Sequence, residues 1–209
     1  MARTRSEHYD DIQRGILNAA CALFAQLGYM RASIADLAEA CQISRGALYH
    51  YFDSKEAILF AILDAHVRQM IADVEATMAR QSTSLDRFRA AIRAIVELNA
   101  RSSNEQRLIL NDLSFLAEAE QKALKALQRQ LVDTISDLLI RLDTEGKIVK
   151  RSKKVYTMML FGMLNFSHTW YDPKGDIEPK EFADMVVDLF LYGFAAPAAK
   201  GTVSRRQHA

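Results

Sequence analysis

The residues able to do chemistry crowd between Arg31 and Lys55. Ser44, Arg45, Gly46, Ala47, Tyr49, His50 and Tyr51 fall almost side by side. These types suit contact with a nucleic acid. The Arg45 guanidinium can pair with a guanine edge in a major groove, and Ala47 can touch a thymine methyl. Gly46 carries no side chain, so the backbone can come close. The Tyr49 and Tyr51 hydroxyls can bond phosphate oxygens. Arg31 and Ser33 upstream, and Lys55 downstream, add phosphate-gripping groups, with Lys55 beside the first amides of a helix. His50 can meet a base, a phosphate or only solvent. The plainer alternatives are a core aromatic for Tyr49 and a solvated charge for Arg45.

Two short helices must position this set. Ser33 is a natural N-cap, with Asp36 as its capping-box partner. Ile34, Leu37, Ala38 and Cys41 repeat at helical spacing and give the first helix one apolar face. Gln42 and Ile43 make the turn, and Ser44 caps the second helix. Ile43, Leu48 and Phe52 anchor that helix and leave its other side outward. This is the layout of a helix-turn-helix whose second helix enters a DNA groove. A third helix, Tyr9 to Leu27, braces the pair through Ile12, Ile16, Ala19, Ala20, Leu23 and Phe24, and Gly28 ends it. Residues 1–8 read as a flexible polar arm. The expected DNA-binding domain spans residues 9–53.

Three runs carry a resemblance: Ser-Ile-x-x-Leu-Ala from Ser33, Ile-Ser-Arg-Gly-Ala-Leu-Tyr-x-Tyr-Phe from Ile43, and Asp-Ser-Lys-Glu-x-Ile-Leu from Asp53. Together they resemble the tetracycline-repressor (TetR) family of bacterial transcription regulators, over residues 9–69. The resemblance implies phosphate contacts at Tyr49, Tyr51 and Lys55. One such head covers about half an operator, so a palindromic site requires a homodimer.

The chain has 209 residues, half of them hydrophobic, with few glycines and prolines. Long stretches show helical periodicity and none shows sustained strand alternation, so the expected class is all-α with about nine helices. Net charge is +1; charge alone does not announce a DNA binder, so basic groups must be concentrated on one surface. Cys21 and Cys41 fall on apolar faces and read as small buried hydrophobes rather than a disulfide or redox switch. His66 and His168 read as core histidines. No cluster has zinc spacing and no catalytic constellation stands out, so neither a metal, a cofactor nor an enzyme activity is expected. No run reaches the roughly 18 apolar residues of a membrane helix. A soluble, cytoplasmic protein with no membrane partner is expected.

The remaining chain, residues 54–195, reads as a ligand-binding and dimerisation body ahead of a disordered tail at residues 196–209. Asp53 is expected to cap a helix over residues 54–81, the lever between head and body. Further helices are expected at residues 84–101, 105–116, 118–144, 152–171 and 179–195. The helices near residues 152–171 and 179–195 carry excess apolar surface at Phe161, Leu164, Val187, Leu191 and Phe194, and are expected to join their copies in a four-helix bundle. Phe88, Arg107, Asn111, Phe115, Met158, Met159, Phe161, Gly162, Asn165, Phe166, Thr169 and Trp170 mix apolar bulk with polar handles and are the candidate effector lining. Gly162-Met-Leu-Asn165, Thr169-Trp-Tyr-Asp-Pro173 with Gly175, and Phe182 to Leu191 with Gly193 are similar to TetR-family regulators of fatty-acid, aromatic-acid and sterol breakdown. That weaker resemblance implies an acyl-CoA effector, with a free hydrophobic drug, a lipid or an autoinducer as the alternatives; Arg89, Arg93, Arg101, Arg107 and Lys125 are available for the coenzyme A phosphates, and the plain alternative for these cations is a solvated face. The expected function is a homodimeric repressor released from operator DNA by a small hydrophobic effector. A same-fold activator, a ligand-independent regulator, a nucleoid-like binder and an all-α enzyme are the alternatives.

Overall fold

Scarce glycine and proline let helices propagate, and breaks fall where caps or left-handed residues force them. The structure, a computed structural model, describes residues 2–143, 146 and 152–193. Its described residues form nine α-helices and no strand: α1 (Ala2–Leu27), α2 (Ile34–Ala40), α3 (Arg45–Tyr51), α4 (Lys55–Ala79), α5 (Ser84–Arg101), α6 (Ser103–Asn111), α7 (Glu118–Leu142), α8 (Lys153–Phe166) and α9 (Pro179–Tyr192). Single 3-10 turns follow α6 at Leu113–Phe115 and α8 at Ser167–Thr169. The expected tail at residues 196–209, and Phe194, lie outside the described residues.

Local chemistry accounts for the boundaries. Gly28, at φ 85°, ends α1, and its amide donates to Phe24 O at 2.9 Å. α2 ends in a left-handed residue too, here Gln42 at φ 56°. The Ile43 amide reaches back to Ala38 O and the Gln42 amide to Glu39 O, both at 3.0 Å. That pair of bonds is a Schellman closure, which normally takes glycine.

Four boundaries differ from expectation. The backbone of residues 2–8 is helical and continues α1, where an arm was expected; it holds no glycine or proline to stop the helix propagating from Tyr9. The cap of α4 is Ser54, not Asp53: Ser54 Oγ accepts from the Ala57 amide at 3.0 Å, so the helix starts one residue later. α6 stops at Asn111, before the 3-10 turn. α8 stops at Phe166 rather than near residue 171, where Ser167 and Thr169 turn their hydroxyls onto the carbonyls of Leu164 and Phe166. Hydroxyls that bond backbone oxygens compete with helix continuation.

Packing divides the apolar side chains into two cores. The first joins Phe24, Leu37, Leu48 and Phe52 to Ile58 and Leu63 of α4, Leu108 of α6 and Leu124 of α7. The second gathers Met70 and Val74 of α4 with Phe88, Ile92, Leu138, Leu160 and Val187. Ile71 packs against both. The expected division between residues 53 and 54 therefore does not mark a packing boundary, because the head borrows α4, α6 and α7 to complete its core. Helix order also reassigns the apolar surface. Phe161, Leu164 and Val187, expected at a dimer interface, are 6%, 1% and 0% exposed and belong to the protomer core. Leu191 is partly buried against the same core. A helix that is apolar all round gives no sign of which side turns inward. The outward side of α8 carries Val155, Met159 and Phe166, and that of α9 carries Met185, Leu189 and Tyr192.

Candidate nucleic-acid interface and effector region

α2 and α3 are held as the residue pattern requires. Ser33 caps α2 in a reciprocal box: the Asp36 amide donates to Ser33 Oγ at 3.2 Å, and the Ser33 amide donates to Asp36 Oδ2 at 2.8 Å. The Ser33 hydroxyl and amide both favour the ionised Asp36 and hold its carboxyl below the usual range. Ser44 Oγ accepts from the Ala47 amide at 3.1 Å. Leu48 and Phe52 go into the core, which leaves Ser44, Arg45, Gly46, Tyr49 and His50 exposed on one side of α3, with Ala47 half-buried beside them. Tyr49 is 50% exposed, so it is not a core aromatic. Arg31 and Ser33 are exposed as well.

Two members of the expected set have structural partners. The Tyr51 ring lies against Tyr9 of α1, with centroids 4.6 Å apart, and His50 meets both rings edge-on. Lys55 Nζ donates to Tyr29 O and Ala32 O, both at 3.0 Å, and sits 4.3 Å from the Tyr29 ring centroid. Its ammonium thus ties the turn after α1 to the first turn of α4, rather than standing free in solvent. Two of its three donors are used there.

Tyr29 is the centre of that joint, with a set of contacts that the sequence does not show. Its ring stacks on Phe115 at 5.2 Å and meets Phe24 edge-on at 5.1 Å. Its hydroxyl donates to Glu56 Oε1 at 3.0 Å. Burial raises the Tyr29 phenol well above its ordinary value, and the Glu56 carboxylate adds to the rise. Only its place after Gly28, at the end of an apolar helix, hinted at a packed aromatic.

The expected effector lining does not converge on one cavity within the protomer. Phe88 and Phe161 are core residues. Phe115 goes to Tyr29. Arg107 and Asn111 are exposed on α6, where Asn111 Nδ2 donates to Arg107 O. Met158, Met159, Gly162, Phe166, Thr169 and Trp170 open to solvent on the outer side of α8 and the turn beyond it. Asn165 alone faces a polar interior: Gln106 Nε2 donates to Asn165 Oδ1, and Gln106 Oε1 lies 3.4 Å from His66 Nε2. His66 and Gln106 are both 5% exposed. Burial lowers the His66 pKa, with the Gln106 hydrogen bond and the Glu105 charge opposing. His168, also expected in the core, is exposed.

The candidate phosphate-binding cations are mostly neutralised. Arg93 forks onto Asp184 with two bonds of 2.7 Å. Arg89 bonds Asp188, and Arg101 bonds Asp73. These pairs clamp α5 to α9 and to α4.

Comparison with known proteins agrees with this arrangement. Residues 16–62 match the model for bacterial regulatory proteins of the tetR family. Residues 81–194 match that for the tetracyclin repressor-like C-terminal domain, more than half of the chain. The chain belongs to the TetR family. A TetR-family transcriptional regulator from Bordetella parapertussis is 35% identical in sequence and superposes with a TM-score of 0.85 over 90% of this chain and 98% of the other. AibR, in complex with isovaleryl coenzyme A and operator DNA, is 26% identical with a TM-score of 0.75 over 85% of this chain and 97% of its own. The transcriptional repressor KstR2 of Rhodococcus jostii is 25% identical over 87% of this chain and 90% of its own. The chain spans about half the length of the first curated relatives it matches.

Its family is one of helix-turn-helix transcriptional regulators rather than enzymes. Among the described residues, no helix is long and apolar enough to cross a membrane. Both cysteines are free. Burial, with the Glu105 carboxylate behind it, pushes the Cys21 thiol up to about 12, which keeps it protonated and unreactive.

Proposed function

We propose that this TetR-family regulator is a homodimeric repressor that reads a palindromic operator and leaves it when a small hydrophobic effector, an acyl-CoA thioester, binds the body. The carrying observation is the solvent face of α3, where Arg45, Gly46 and Tyr49 stand free while Leu48 and Phe52 fix the helix to its core. Arg45 and Ala47 are assigned to base edges. Tyr49, Arg31, Ser33 and the remaining donor of Lys55 are assigned to phosphates, with Tyr51 and His50 as a braced edge beside them. The apolar outward stripes of α8 and α9 support the dimer: Met159, Phe166 and Leu189 form a surface that a second copy would cover.

The effector is assigned to the region between α4, α6 and α8. His66, Gln106 and Asn165 provide polar handles there. The likeness to AibR, solved with isovaleryl coenzyme A, favours a thioester. Release needs a conformational difference that reaches the head. Two connections are available: α4, shared by both cores, and the Phe115–Tyr29–Lys55 joint, which fixes the turn beyond α6 to the start of α4. A ligand can shift that equilibrium only by its differential affinity, typically about 1–3 kcal/mol.

The test is electrophoretic retardation of DNA from beside the protein's own gene, with and without a panel of acyl-CoAs. A sequence-specific shift released by one thioester is expected. A shift that no thioester relieves rejects the effector class, and the absence of any sequence-specific shift rejects the repressor reading.

A further inference from the structure

Tyr9 stands half-buried on α1, one turn ahead of Ile12, which packs on the head core. Its ring reaches the last turn of α3. It lies 4.6 Å from the Tyr51 ring at an angle of 31°, and 6.1 Å from the His50 ring at 84°. His50 and Tyr51 meet edge-on at 5.4 Å. The three rings close a triangle, and every pair in it has a separation that aromatic pairs prefer.

Within α3 itself, the anchors hold the backbone rather than these side chains. The helix is seven residues long, capped by Ser44 and seated through Leu48 and Phe52. Tyr49, exposed on the same helix, has no ring partner among the described residues. His50 differs: it packs against two rings and is still exposed. Burial does not explain an imidazole held on two sides and open to solvent; presentation to a partner does. Ordering a mobile side chain on binding costs roughly two- to twelvefold in affinity. A ring that orders two of them beforehand removes that cost from the complex.

We infer that Tyr9 is a positioning residue for DNA recognition: from α1 it sets the His50 and Tyr51 rings in advance, so that the last turn of α3 meets the groove already ordered. The inference rests on the DNA-reading role proposed above for the outer side of α3. Within that role it separates the two ends of the helix. Arg45 acts at the first turn on its own. The contacts of the last turn depend on a residue of another helix that makes no DNA contact itself.

The test uses the full chain and DNA from beside the protein's own gene, with each base pair of the retarded site substituted in turn. Tyr9→Ala is expected to lower affinity roughly fivefold or more. It should flatten preference at a set of base pairs distinct from those blurred by Arg45→Ala. Tyr9→Phe keeps all three rings and should bind as the parent does. Thermal midpoints are measured alongside; if Tyr9→Ala does not fold, Tyr9→Leu, which fills the space without a ring, replaces it. Parent-like affinity without the ring, or uniform weakening on every sequence, overturns the inference. An equal loss in Tyr9→Phe overturns it too, because the hydroxyl would then be a direct contact. If the parent retards no DNA sequence-specifically, the repressor reading falls and this inference with it. If the parent binds specifically and the ringless variant matches it, the inference alone falls.

Discussion

Leu48 and Tyr49 are neighbours on α3, at 1% and 50% exposure; Leu160 and Met159 are neighbours on α8, at 0% and 58%. Each helix buries one side, but the free sides differ. On α3 the outward groups are a guanidinium, a glycine, a phenol and an imidazole. On α8 they are mainly a valine, two methionines and a phenylalanine. A polar free face over a firm apolar base fits a hydrated, charged partner such as DNA, whereas a free face as apolar as the buried one fits another protein surface. On the proposed function, the same packing rule therefore offers one face to DNA and the other to a second copy.

The largest expected effects test whether the two cores are separable. Phe88→Ala empties a fully buried site of the body and should cost about 3–5 kcal/mol, abolishing both dimer and DNA binding. Leu48→Ala should cost about 2–5 kcal/mol but act on the head, so that gel filtration still finds a dimer that no longer shifts DNA. Loss of the dimer in Leu48→Ala would mean that the cores unfold as one, and the contrast between them would fail.

The next test concerns the free faces. Phe166→Glu places a charge on the apolar side of α8 and should dissociate the dimer by about 2 kcal/mol or more while circular dichroism stays unchanged; an unaltered sedimentation mass would move the interface elsewhere. Arg45→Ala on α3 should cost about 1–3 kcal/mol of operator binding and blur sequence preference. Uniform weakening on all DNA would make Arg45 a phosphate contact.

Smaller effects probe the joint and the turn. Tyr29→Phe removes the bond to Glu56 and should cost about 1 kcal/mol. The folded protein raises the Tyr29 phenol above its unfolded value near 10, so its share of stability is intact below that pH and is lost as the pH rises through the folded value. Denaturation midpoints of parent and Tyr29→Phe should therefore converge at alkaline pH. Gln42→Gly relieves a left-handed residue and should stabilise by roughly 0.5–1 kcal/mol, read as a raised midpoint; a lowered one would assign Gln42 a side-chain contact worth more than its strain.

Legibility in the sequence followed the same contrast. The α2 and α3 caps, the turn at Gln42 and the inward Leu48 and Phe52 were readable because each short helix has one apolar stripe and polar residues elsewhere. α8 was not readable in this way. Its apolar residues cover every side, so Phe161 and Leu164 looked as available for a partner as Met159 and Phe166. The sequence offers Lys55 only as a phosphate-gripping ammonium, because nothing local says that Tyr29 O and Ala32 O lie within reach. Long-range contacts such as Tyr29 on Phe115 and Gln106 beside Asn165 join residues 59 or more positions apart, and no periodicity encodes them.

The division of α4 between two cores bears on how this protein can be recombined. A chimera cut after Phe52 would hand the new body a head lacking Ile58, Leu59, Ile62 and Leu63. A cut at Arg68 and Gln69, exposed side chains between Val67 of one core and Met70 of the other, would carry those four residues along. Even that graft would need a recipient offering counterparts of Leu108, Phe115 and Leu124. The head is thus portable only together with a matching docking surface, and exchanging DNA specificity is easier by rewriting the outer side of α3 than by moving the domain.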